Sequence, residues 1–155
     1  KITSKVNTHG ENAGIYVGVN ELGKENFLFI SIKIDKSASK EEQIRSLISS
    51  ISSTIGYQIE LNSVKVEDNK IKIDFSKDYA PFEVIESYNQ SNSQLYYISS
   101  DNVVAKTIFD SINKTLKSYF GENTETYFSG NSENINIEND FLTITIDSSK
   151  PYDKQ

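Results

Sequence analysis

The sequence predicts an α+β fold: a two-layer sandwich in the order β-α-β-β-α-β, with two helices on one face of a mostly antiparallel sheet and a trailing C-terminal hairpin. Three observations carry this reading. Two segments place apolar residues at helical spacing, two others alternate apolar and polar residues around an Asn/Asp pair, and an alternating apolar run precedes the first helix. Helices laid over one sheet face bury both kinds of stripe. The 155 residues suit a single domain with a real core.

Residues 1–24 hold four of the seven glycines and little apolar periodicity. The expectation there is a flexible tether, with a short strand at "GIYVGVN" as the alternative. The α+β domain is expected over residues 25–150 and a tail over 151–155. In "FLFISIKI", Leu28, Ile30, Ile32 and Ile34 share one face and Phe27 and Phe29 begin the other. That pattern predicts a strand partly covered on both sides. In the next segment Ile44, Leu47, Ile48, Ile51 and Ile55 follow one helical stripe, Ser39 and Glu42 have capping-box spacing, and Gly56 suits a left-handed C-terminal cap. The outer face is rich in serine, so packing rather than propensity must hold this helix.

"VEDNKIKIDFSKDY" reads as a hairpin. An Asp68-Asn69 turn pairs Val66 with Ile71 and Val64 with Ile73, which puts these four and Phe75 on one sheet face. Asp74 then points to the opposite face, where it is expected to be solvated or bonded to local backbone. After Pro81 a polar stretch reads as a surface loop. Val104, Ile108, Ile112 and Leu116 mark a second helix, widened by Ala105, Phe109 and Phe120, capped by Ser99 or Ser100 and ended by Gly121. "TETYFSG" is a short strand. "NINIENDFLTITID" alternates again around Asn139-Asp140.

The chemistry available is narrow. A net charge of -6 with one arginine, Arg45, argues against nucleic acid, whose affinity comes largely from cations on phosphates. Cysteine is absent, which removes disulfides, thiolate zinc sites and a cysteine nucleophile. The single histidine, His9, falls in the expected tether, a poor place for a preorganised general base. Local carboxylate pairs occur at Asp74/Asp78, Glu83/Glu86 and Glu138/Asp140, as expected for a chain of this charge. "EDNKIKID" lacks the central glycine and terminal glutamate of a helix-flanked calcium loop. Ser76 lacks the glycines of a nucleophile elbow, and no phosphate-binding glycine motif is present. No catalytic residue, cofactor or metal is therefore expected. Tyr79, Phe82, Tyr88, Tyr96 and Tyr97 gather around the polar loop. Closing one end of the core is their favoured role; the other is a loop in which Tyr88, Tyr96 and Tyr97 anchor a partner or stack on sugar rings.

Five stretches resemble, in order, the GerM-type (GerMN) domain named for a sporulation and spore-germination protein. They are "FLFISIKI", "EEQIRSLISSIS", "SVKVEDNKIKIDFSKDY", "SINKTLKSYFG" and "ETYFSG", with Asp74-Phe75-Ser76 and Ser111 through Gly121 as the most specific pieces. The likeness covers roughly residues 25 to 150. The polar loop from Pro81 to Ser99 and the hairpin after Gly130 depart from the family pattern. The resemblance implies a noncatalytic, extracytoplasmic domain, often in a membrane-anchored lipoprotein of a Gram-positive bacterium, with a fold similar to ring-building modules of sporulation channels. It implies envelope proteins or self-association as partners, and Asp74, Phe75 and Ser76 as structural signature residues. The chain begins at Lys1 and contains no methionine. Trimming of the front and removal of a leader are the two readings of that start, and a removed leader with an N-terminal lipid anchor is the expected link to a membrane.

Overall fold

The computed structural model describes residues 10–21, 24–83, 101–138 and 143–155. Their architecture is two-layer α+β. Strands β1 (Glu11–Glu21) and β2 (Lys24–Ile34) form a long antiparallel hairpin. Helix α1 (Lys40–Ile55) leads to β3 (Leu61–Glu67) and β4 (Lys70–Phe75). Helix α2 (Asp101–Phe120) precedes β5 (Glu125–Gly130), the hairpin β6 (Ile135–Glu138) and β7 (Thr143–Ile146), and a 3-10 turn at Tyr152–Lys154.

Both helices start or stop for the local reasons their sequences supply. Ser39 Oγ accepts from the Glu42 N–H at 3.2 Å, the Ser39 half of the expected capping box. Gly56 takes a φ of 83° and donates to Ser52 O, so the left-handed cap falls where glycine avoids the Cβ penalty. At the end of α2, Gly121 has a φ of 123° and donates to Lys117 O. The predicted stripes are the buried ones: Ile44, Leu47, Ile48, Ile51 and Ile55 in α1, and Val104, Ile108, Ile112 and Leu116 in α2.

The β3–β4 hairpin has the predicted register, with Val66 opposite Ile71 and Val64 opposite Ile73. Asp68 supplies a positive φ of 53° at the turn. Asn69 does more than turn the chain: its Nδ2 donates to Asn123 O and its carbonyl accepts from Glu125 N–H, fastening the turn to the start of β5. Because α2 carries the chain back across the sheet, β5 runs parallel to β4. The inner face of this three-stranded sheet meets α2 where Phe75 and Phe128 pack on Phe109, the three ring centroids lying 5.2–5.6 Å apart.

Three features differ from the sequence reading. Residues 11–21, expected as part of a flexible tether, are strand β1; Ile15 and Val17 are fully buried against the helices, and that burial offsets the entropy its glycines would otherwise keep. Among the described residues the strands form three groups, β1-β2, β3-β4-β5 and β6-β7, instead of one sheet, although three of the four pairings are antiparallel as expected. Residues 151–155, expected as a tail, are packed: the Tyr152 ring lies 5.2 Å from Phe128 and 6.1 Å from Phe109, its hydroxyl donates to Asp110, and Asp153 meets Asn113 and Lys117. The Asn139-Asp140 turn lies outside the described residues.

Candidate functional site

Asp74 sits on the sheet face opposite Phe75, as the alternation requires, but it is neither solvated nor bonded only locally. It is 8 % exposed. Its Oδ1 accepts from Ser129 Oγ at 2.6 Å and from the Ser132 N–H at 2.7 Å, and its Oδ2 accepts from Asn62 Nδ2 at 3.0 Å. Asn62 is the extra residue of a bulge in β3, which turns its amide toward Asp74, Phe75 O and Asn131 Oδ1. Burial disfavours the Asp74 charge, but the Ser129, Ser132 and Asn62 hydrogen bonds and the Lys65 charge together outweigh it and hold the carboxyl below its ordinary range. A carboxylate so saturated is a joint between β3, β4 and the turn after β5. It is poorly suited to proton transfer, which needs a pKa near the working pH.

Ser76 completes the same corner. Its N–H donates to Glu60 O, and its Oγ accepts from the Asp78 N–H at 3.3 Å, a local turn brace. Phe75 is fully buried. Phe82 is partly buried with its ring across Gly130, where a Cβ would stand 2.4 Å from its Cζ, so it closes that end of the core. Tyr88, Tyr96 and Tyr97, the candidate partner or ligand loop, lie outside the described residues, as do His9, Glu86 and Asp140.

The surface that sequence reasoning missed is the β1–β2 hairpin. Leu28 and Phe29 are the exposed large hydrophobics of the described residues, at 42 % and 61 %. Phe29 lies across the strand pair over Gly14, where a Cβ would fall 2.1 Å from its ring, and stacks edge-on with Tyr16 at 5.3 Å. Lys114 of α2 reaches over the Tyr16 and Phe27 rings at 4.9 and 5.2 Å. The glycines at 14 and 18, on one face of β1 and opposite Ser31 and Phe27, are the sequence signal for this aromatic surface.

The two edges of this hairpin differ. Along the outer edge of β1, Ser111 Oγ accepts from Gly18 N–H at 2.8 Å, and Thr115 Oγ1 accepts from Tyr16 N–H at 2.9 Å while donating to Tyr16 O at 3.2 Å. The small hydroxyls of "SINKTLKSYFG" thus let α2 approach β1 and take its polar groups at Tyr16 and Gly18. Along the outer edge of β2, no strand pairs with the chain among the described residues.

A further cleft of about 580 Å³ is lined by Tyr16, Phe27, Lys117, Tyr152 and Asp153. Asn113 lines it, 9 % exposed; its Nδ2 donates to Asp153, and its buried Oδ1 makes no hydrogen bond.

Among the described residues no three of His, Cys, Asp and Glu converge in a metal-binding arrangement, and no helix is long and apolar enough to cross a membrane. Compared with known proteins, the chain matches no family model, no curated protein and no solved structure.

Proposed function

We propose that the chain is a noncatalytic protein-interaction or scaffold domain of the cell envelope, a GerM-like lipoprotein module connected with sporulation or germination. The observation that carries this reading is the edge of β2, unpaired among the described residues, beside exposed Leu28 and Phe29. An open strand edge with apolar side chains is a template for main-chain pairing with another protein, and folds that do not use such an edge normally blunt it. The GerM-like order of segments supports the envelope setting, and the role of Asp74 as a joint fits its place as a structural signature. Envelope proteins or a second copy are the expected partners. The test is affinity capture from envelope extracts with the intact chain and with Leu28→Lys, which changes the surface and leaves the core alone. Stoichiometric capture lost in the variant is the expected result; no capture, together with glycan turnover by the purified chain, overturns it.

A second reading, an extracytoplasmic small-ligand or glycan-binding lipoprotein, draws support from the cleft at Asn113, where aromatic walls flank a buried amide oxygen without a partner. Titration with peptidoglycan fragments separates the two readings. Saturable binding lost on Asn113→Leu favours the cleft, and binding lost on changing Tyr88, Tyr96 and Tyr97 to Ala favours the tyrosine loop.

A further inference from the structure

We infer that the cleft at Asn113 binds an acidic sugar, with a hydroxyl or amide N–H of the sugar donating to Asn113 Oδ1 and its carboxylate meeting Lys114. The inference rests on the small-ligand reading above and names the class of ligand and the group that selects it.

The amide comes first. Asn113 Nδ2 donates to Asp153 Oδ1 at 2.7 Å. Turning the amide over would set two acceptors against each other, so its orientation is fixed. Oδ1 is left buried, in a residue 9 % exposed, with no donor from the protein. Since Nδ2 is engaged, Oδ1 is the polar atom that Asn113 has to offer to the cleft it lines. A buried acceptor without a donor carries a desolvation cost, which a ligand bringing an O–H or N–H relieves.

Charge then selects among such ligands. Four charged groups of the lining are paired within the protein: Lys106 with Asp110, which also accepts from Tyr152, and Lys117 with Asp153. Lys114 differs. Its ammonium lies 4.9 Å from the Tyr16 ring centroid and 5.2 Å from that of Phe27, and no carboxylate pairs with it among the described residues. The two rings hold the cation in place without neutralising it. Glu122 is the remaining acid of the lining, and it stands past the end of α2, about 9 Å of helical rise beyond Lys114. An anion is therefore favoured at the Lys114 end.

Asn113 and Lys114 are neighbours, about 3.8 Å apart at Cα, so one small ligand meets both. They ask for a donor and an anion on the same compact molecule, and a sugar ring bearing a carboxylate supplies both. The volume, about 580 Å³, is that of a small-molecule site, and the Tyr16, Phe27 and Tyr152 rings give the C–H face of a sugar an apolar surface. A neutral sugar would satisfy Asn113 and leave Lys114 unpaired.

Calorimetric titration of the intact chain with a matched pair tests this. N-acetylmuramic acid and N-acetylglucosamine share the ring and the acetamido group, and only the first carries a carboxylate. The acid should bind about tenfold tighter at neutral pH. Lys114→Gln, at an exposed position, should bring the acid down to the affinity of the neutral sugar. Lys40→Gln, the same charge change on α1, should leave the difference intact. Asn113→Leu should weaken both sugars about tenfold; it also removes the bond to Asp153, so Lys114→Gln carries the test if that variant unfolds. N-acetylalanine, with a carboxylate and an amide N–H but no ring, should bind more weakly than the acidic sugar. Equal binding of N-acetylalanine overturns the sugar class, and an acid preference that survives Lys114→Gln overturns the role of Lys114. Equal affinity for the two sugars, lost on Asn113→Leu, overturns the acid preference and leaves the small-ligand reading standing. No binding of either sugar overturns the inference, and if peptidoglycan fragments do not bind either, the small-ligand reading falls with it.

Discussion

The two long hairpins follow one alternating rule and reach opposite ends. In β3–β4, one face buries Val64, Ile71, Ile73 and Phe75, and the other gathers polar groups around Asp74. In β1–β2, Ile15 and Val17 are buried in the same manner, yet Leu28 and Phe29 stay in solvent. The difference lies in the edges. Among the described residues β4 is paired on both sides, by β3 and β5, while β2 is paired by β1 alone. Alternation specifies which face of a strand turns inward, and it carries no information on what lies beside the strand.

The comparison can be broken most forcefully at Phe75. Truncation to Ala should empty the centre of the Phe75–Phe109–Phe128 cluster and cost about 3–5 kcal/mol in denaturant unfolding. A loss under about 1 kcal/mol would mean that the β3–β4 face is not the centre of the core.

Next in size is Asp74. Asp74→Ala removes an acceptor of three hydrogen bonds and should cost about 2–3 kcal/mol at neutral pH. Its folded pKa is lowered, so the carboxylate's contribution is fully present above the unfolded value of about 3.9 and is lost as pH falls through the lower folded value. The gap between wild type and Asp74→Asn should therefore narrow in acid melts below about pH 4. A gap that widens there would reverse the assignment.

Ser111→Ala tests the closed edge of the other hairpin. It leaves the Gly18 N–H buried without its acceptor, for an expected loss of about 1–2 kcal/mol and faster hydrogen exchange at Gly18 than at Ile15. Unchanged exchange would show that α2 does not seal β1.

The smallest effect on folding belongs to the open edge. Leu28→Lys should change monomer stability by no more than about 0.5 kcal/mol, since the side chain is already 42 % exposed. A large thermal shift measured at dilutions where the chain is monomeric would place Leu28 in the core and make the two hairpins alike.

Much of the fold was legible because its rules are local. The stripe of Ile44, Leu47, Ile48, Ile51 and Ile55 needs only the helical period, and the Ser39 and Gly56 caps need only groups a few residues away. The Asp68-Asn69 turn with its Val66–Ile71 register follows from side chains alternating at period two. Strand β1 reads as a tether in the sequence because its glycines at 14 and 18 dilute the apolar signal. Gly14 makes room for the Phe29 ring of β2, and Gly18 donates its N–H to Ser111 of α2.

By itself the sequence determined which residues turn inward, where the helices begin and end, and that Asp74 stands opposite Phe75. Only the tertiary structure decided what Asp74 bonds to, since Ser129 and Ser132 lie 55 and 58 residues away along the chain. It also decided which edges close. The hydroxyls that bond Tyr16 and Gly18 of β1 come from a helix 93 to 99 residues distant, and nothing in the local pattern of either segment encodes that meeting. Periodicity fixes the face a side chain occupies; the partner of a backbone edge depends on which distant elements pack beside it.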